Sequence, residues 1–557
     1  IDGAVDMEFN LLREPWLPVM RPDGGVEEVS MIDIFRRAPS FERLAGELPT
    51  QDVAVLRLLL AVLHTVFARY DPKGTYAPLY KENGMQPRSE DALDRWETLW
   101  KGGVFPMPVI ENYLMQFEDR FWLFHPERPF YQVPELTKGT EYTAAKLNGE
   151  LSESSNKIRL FPQRTGSSKS GLTYGEAARW LLYVNGFDDT SAKPTVSGLG
   201  SPGAGWLGKL GLVTAVGSNL FETLMLNLVL LKDGTSIWEP EEPVWEAKTV
   251  VTTERRQIPM PNNPSALLTL QSRRLKLKQE SGRVTGYMLL GGDFFPKENA
   301  LAEQMSVWRN AAKKENEPPV YLPKRHDTGR QLWRDFSALA VQTEKGQRPG
   351  IVNWLATLAY EGLIPRSLVC FQASAIQYGD KDFFVDNVFS DSVSFNAQLL
   401  NDLDQSWTSR ILDAISTADQ LAEQVGWLAQ NIAKAAGNTS ESGFKAVRDS
   451  TKEQAYYRMD IPFRQWLEKI NPESQQGEVS KSSASKEWWE TAQRIARGLG
   501  RDIVAQAGAN AFVGREIKEN QKERWYTAPE AYNRFLYCTS TVHALQATSK
   551  GGKKNGQ

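Results

Sequence analysis

Glycines at positions 198, 200 and 203 have the G-x-G-x-x-G spacing of loops that cradle a dinucleotide pyrophosphate. That chemistry needs a buried strand before the glycines and a helix opening after them, so that the phosphates meet the helix N-terminus. The flanks supply neither. Residues 191–197 contain Lys193-Pro194, which makes a poor buried strand, and Pro202 with further glycines at 205, 208 and 211 makes a poor helix start. What remains is the missing Cβ itself, which lets a backbone approach another chain or a nucleic-acid groove closely. A plain flexible surface loop is the other reading. Metal and covalent chemistry find less support. His64, His125, His326 and His543 never pair at helical spacing, and Asp188-Asp189 has the adjacency usual in loops. Neither a phosphate loop (G-x-x-x-x-G-K-[ST]) nor a nucleophile elbow (G-x-S-x-G) occurs. No catalytic residue, cofactor or metal is expected.

Other groups have the charge that nucleic acid attracts. Asn156, Lys157, Arg159 and Phe161 fall in one polar loop, where cations suit phosphates and the aromatic ring suits a base. An ordinary loop edge has the same composition. Arg273, Arg274, Lys276 and Lys278 precede a turn, with Arg283 beyond it. Lys276 and Lys278 share one strand face. Arg494, Arg497 and Arg501 share a helix face, and Lys518, Lys522 and Arg524 follow. For both clusters a solvated face is the alternative. The turn around Tyr378 and Lys381 adds Phe383 nearby.

The elements that must hold these groups are of two kinds. The chain has 557 residues, too many for one core, so two or more domains are expected. Hydrophobic content of 41% and charged content of 24% are those of a soluble globular protein. The net charge of -3 excludes a generally basic DNA binder, so any nucleic-acid role rests on local patches or on a basic partner. Cys370 and Cys538, far apart, make no disulfide framework and fit a reducing cytoplasm. No signal segment is read at the start, and residues 1–6 read as an addition before a natural Met7. The apolar run 53–70, interrupted by Arg57 and His64, reads as a core helix capped by Thr50, not a membrane span.

A hairpin is expected around 21–25, a helix over 173–185 with a Thr173/Glu176 capping box, and two strands flanking the 280–283 turn. From 397 to 436 apolar residues recur at i, i+3 and i+4, which predicts one long amphipathic helix. A second helix is expected near 452–470, broken or kinked at Pro462, then a flexible loop at 471–485. A third is expected from 486 to 512, and a fourth from a capping box at Thr527/Glu530. The fold class is therefore α+β: a mixed α/β N-terminal domain, 7–390, followed by an all-α four-helix bundle, 391–550.

The order of these segments resembles the large subunit (CasA-type) of the type I-E CRISPR Cascade complex, from the opening Asn10-Leu-Leu-Arg-Glu-Pro-Trp16-Leu-Pro through the loops to the bundle. The resemblance implies a non-catalytic DNA-recognition subunit. Its partners would be double-stranded target DNA, the other Cascade subunits with guide RNA, and the CRISPR helicase-nuclease, with no membrane. It implies that the glycine loop, at Gly200, Gly203 and Gly205, contacts the minor groove of the PAM, the short duplex motif flanking the target. It places the 156–161 loop near the PAM or the guide-bearing core, a basic finger near Arg283, and a strand-splitting wedge at Tyr378–Lys381. The family expects glutamine or asparagine at that tip, and this chain has Lys381 and Asp382. The bundle face would contact duplex or displaced strand. Two other classes stay open: a nucleotide-binding enzyme using the glycine loop, and a scaffold without DNA contact.

Overall fold

The computed structural model describes residues 7–551, apart from 156, 249–252, 313, 315–316, 342–345, 366, 402–404, 439 and 520–521. The chain divides into two compact units, 1–393 and 394–557.

The first unit is mixed α/β. The expected opening hairpin forms from β1 (Leu17–Met20) and β2 (Val26–Val29), and a short strand, Arg43–Leu44, pairs with β1. Helix α1 (Pro49–Arg69) is long and apolar enough to cross a membrane, but 94% of its apolar window is buried inside the protein. It begins one residue before Thr50, with proline in the first turn, where a missing N–H costs nothing, and with Leu48 as a cap without a side-chain bond. Arg57, which interrupts the apolar run, pairs with Glu303 at 2.8 Å, both side chains buried. After β3 (Thr140–Thr143), helix α2 (Tyr174–Phe187) starts at the expected capping box. Thr173 Oγ1 accepts from Glu176 N at 3.2 Å, and Glu176 Oε2 accepts from Thr173 N at 2.8 Å. β4 (Leu212–Val216) belongs to a later sheet. β5 (Arg273–Glu280) and β6 (Arg283–Gly291) form the expected hairpin, and β3 lines the other edge of β6. Ser281 and Gly282 both take positive φ, 51° and 74°, as a two-residue turn requires. β7 (Leu368–Tyr378) lies between β4 and β8 (Val385–Asn396).

The second unit is mainly helical. Helix α3 (Ser406–Ala436) starts later than its pattern suggested, because 397–401 form a separate short turn. Trp407, Ile411, Ala418, Leu421, Val425 and Leu428 on its stripe are buried. Helix α4 (Glu441–Glu468) runs through Pro462 without a break. One lost backbone bond is outweighed here by burial of Met459, Phe463, Trp466 and Leu467 around it. The stretch read as loop, 471–485, is non-helical only as far as 477: α5 spans Glu478–Ala505, held early by Trp466 Nε1 donating to Ala484 O at 2.8 Å. Between α5 and α6 (Ala528–Gly551) lies an unexpected hairpin, β9 (Arg515–Glu519) and β10 (Lys522–Tyr526). Its polar, charged strands carry no apolar alternation for a sequence pattern to find. Thr527 Oγ1 accepts from Glu530 N at 3.2 Å, as its spacing suggested. Helix α3 packs against α4, α5 and α6.

Candidate nucleic-acid interface

Three segments converge in the first unit. The segment after α2 begins with Asp188, fully buried. Its carboxylate accepts from Arg273 Nε at 2.5 Å and pairs with Lys193 Nζ at 2.9 Å. Burial pushes this carboxyl up, but Lys193, Arg273 and Lys146 outweigh it and hold it below the usual carboxylate range. Asp189 pairs with Lys146 at 2.5 Å. The adjacent carboxylates therefore neutralise buried cations, and no three-residue metal cluster is found among the described residues.

These ion pairs anchor the glycine loop. Gly198 has φ +80° with open space around it, and Gly200 likewise has room for a side chain. The Gly200 carbonyl accepts from Arg255, and the Gly203 carbonyl accepts from Arg273 Nη2 at 2.6 Å. Gly205 is different. A Cβ there would stand 2.3 Å from Gly186 O, and its N–H donates to Asp188 O at 2.9 Å. Gly205 is thus a packing glycine at the end of α2, whereas Gly200 is exposed and Gly203, half-buried, still has room for a Cβ. No strand precedes the loop, and only a three-residue turn, Leu207–Lys209, follows it. The geometry lacks what a dinucleotide site requires.

The turn between β7 and β8 touches the same segment. Thr190 N donates to Asp382 O at 2.9 Å, Thr190 Oγ1 to Lys381 O at 2.8 Å, and Ser191 Oγ to Phe383 O at 3.2 Å. Lys381 and Asp382 are held at φ 54° and 57°, a left-handed backbone that aspartate tolerates and lysine rarely adopts. The Asp382 carboxylate is bridged by both Arg325 nitrogens at 2.8 Å, so it is neutralised within the protein. Lys381 is exposed, and Phe383 is 39% exposed. Tyr378 is turned inward, its hydroxyl donating to Phe187 O at 2.7 Å.

The 153–161 loop rests on that turn. Lys157 Nζ lies 3.2 Å from the Phe384 ring centroid, and Arg159 donates to Leu151 O at 2.7 Å and to Val385 O at 3.4 Å. The cations point in and the apolar side chains point out: Ile158 is 71% and Phe161 93% exposed. Asn156 lies outside the described residues.

Sequence reasoning took Arg273 only as a hairpin cation and missed Lys209 and Arg255 beside it under the loop. Lys209, Arg255 and Arg273 line one shallow pocket with Gly203. Burial first, then the charges of Arg273, Lys297, Arg255 and Arg325, push Lys209 down to about 8. Its folded value lies below its ordinary one, so this group destabilises the fold while charged. Its contribution improves as pH rises from about 8 towards the ordinary lysine range. These residues are scattered from 209 to 325, so no local spacing signals them.

The hairpin cations are largely engaged. Arg274 is fully buried against Asp293 at 2.6 Å. Lys276 donates to Pro134 O at 2.6 Å, Arg283 to Gly171 O at 2.6 Å, and Lys278 pairs with Glu141 at 2.8 Å while half exposed. In the second unit Arg494 and Arg501 are exposed on α5. Arg497 instead donates to Thr539 Oγ1 at 3.2 Å and to Leu536 O at 3.3 Å on α6.

The family model for CRISPR-associated protein Cse1 matches residues 10–499. A CRISPR-associated protein CasA/Cse1 from Thermus thermophilus is 33% identical over 336 residues, and the chain spans 60% of the length of that curated relative. The crystal structure of Thermobifida fusca Cse1 is 29% identical, with a TM-score of 0.79 over 96% of this chain and 98% of that one. A chain of a CRISPR RNA-guided surveillance complex shares the fold at 18% identity, with a TM-score of 0.66 over 96% of this chain and 99% of that one.

Proposed function

The chain belongs to the CRISPR-associated Cse1 family, and on that premise we propose that it is the large, non-catalytic subunit of an RNA-guided surveillance complex that reads the PAM in duplex DNA. One observation carries this reading: an outward glycine loop, an exposed Lys381/Phe383 turn and the 153–161 loop share one framework above a cluster of cations. In this reading the Gly200–Gly203 backbone enters the minor groove, where few groups distinguish base pairs and readout is permissive. Arg255, Lys209 and Lys297 attract the flanking phosphates. Lys381 or Phe383 then wedges the first base pairs apart, and guide RNA pairing reads the rest of the sequence. Phe161 and Ile158 face the guide-bearing core. The helical unit acts as a four-helix bundle along the duplex or displaced strand, and the complex recruits the helicase-nuclease. The chain works in the cytoplasm, and the fold boundary falls near 390. The relative sharing its fold within a surveillance complex supports this assembly.

The deciding experiment uses a guide-loaded core lacking its large subunit. Adding this protein restores tight duplex binding only on PAM-bearing targets if the reading holds. Binding unchanged by its addition rejects it.

Two consequences can be measured in the same assay. Because Lys209 loses its proton near pH 8, PAM-dependent affinity is expected to fall between pH 7 and 9, by at most roughly tenfold per pH unit for one proton. Lys209→Met flattens that profile; a wild-type slope retained in the variant assigns the proton elsewhere. Arg494→Ala with Arg501→Ala is expected to lower the salt dependence of log affinity by about 0.9 for each phosphate no longer neutralised. Arg497→Ala costs stability without that change. An unaltered salt slope in the double variant leaves the exposed arginines solvated and favours a scaffold role for this helix.

A further inference from the structure

The second unit contains a cavity that the DNA interface does not use. It has a volume of about 320 Å³ and is lined by residues of α3, β10 and the start of α6. That volume is at the scale of small-molecule sites. Its charge is one-sided: Lys434, Arg524 and Arg534 line it, and no Asp or Glu does among the described residues. Arg524 and Arg534 are exposed. Lys434 is fixed in place, 6% exposed, with its ammonium over the rings of Phe444 and Tyr526 at 4.7 and 5.2 Å.

The rest of the lining is not that of a simple anion site. Trp427 is 40% exposed, with the Arg448 guanidinium 4.0 Å over its ring. Gln424 and Asn431 add amides that can both donate and accept. Guanidinium forks match phosphate oxygens, an indole face accepts a stacked base, and amides pair with base edges.

We propose that this cavity is a nucleotide-binding site, with a phosphate taken by Arg524 and Arg534 and a planar base held against Trp427. It shares no residue with the glycine-loop interface and stands whether or not PAM reading does. The ligand chemistry can come from a free nucleotide or from the end of a nucleic-acid strand.

Calorimetric titration of the full-length protein separates these sources, using AMP, inorganic phosphate and a 5′-phosphorylated hexathymidylate as probes. Saturable binding of AMP, of the oligonucleotide or of both supports the site. AMP alone assigns the free nucleotide, and the oligonucleotide alone assigns the strand end. Arg524→Ala with Arg534→Ala is expected to weaken binding at least about tenfold, the equivalent of about 1.4 kcal/mol. Trp427→Ala weakens the base-bearing probes but not phosphate. Equal affinity for phosphate and AMP overturns the proposal, as does binding that survives both variants or no binding of any probe at millimolar concentration.

Discussion

Tryptophan at position 200 is expected to weaken PAM-dependent duplex binding by roughly tenfold to a hundredfold, the scale on which one mismatched base pair acts. The melting temperature should not move, because a side chain at Gly200 meets open space in the protein. The bulk is felt only by whatever approaches the loop. Valine at Gly205 is the control with the opposite signature. Its Cβ would press on the Gly186 carbonyl at 2.3 Å, and overpacking of this kind costs about 1–3 kcal/mol. Gly205→Val should therefore lower the melting temperature first and affect DNA only through the displaced loop. Full PAM preference in Gly200→Trp removes the loop from the interface.

Replacing Asp188 by alanine is expected to be among the most damaging single changes in the first unit. It leaves Arg273 and Lys193 buried, with side chains 4% and 1% exposed, and without their carboxylate. Removing one partner of a buried pair costs about 3–5 kcal/mol. The loss should show as a lower unfolding midpoint and as faster amide exchange over 190–205 than in α1. PAM-dependent binding falls with it, since both the glycine loop and the Lys381 turn hang from this segment. Unchanged exchange at 190–205 means the two cations find water, and the anchoring role fails.

How much of this was legible in the sequence follows the range of the interactions. Local chemistry was readable: the Thr173/Glu176 cap, the Ser281-Gly282 turn and the apolar stripe of α3 all depend on residues within a few positions. Packing that overrides local preference was not, as in the unbroken helix through Pro462 and the helical Ser-rich start of α5. The candidate site divides the same way. Glycine spacing marked the loop. It could not reveal that Gly205 is pressed against α2 while Gly200 is open, or that Asp382 is matched by Arg325 from far away in sequence. The composition of the loop with Lys157, Arg159 and Phe161 could not say that its cations turn inward and its aromatic ring outward.

The pairing of Arg57 with Glu303 has a consequence for synthesis. The partners are 246 residues apart, and a ribosome adds roughly 5–20 residues per second. The apolar α1 therefore emerges tens of seconds before the carboxylate that neutralises its central arginine. During that interval its earlier packing partners, Met107–Met115, α2 and Pro264–Leu268, are already available to cover it, while its central arginine still lacks a carboxylate. Folding of the first unit therefore closes on this pair only after residue 303 has cleared the exit tunnel.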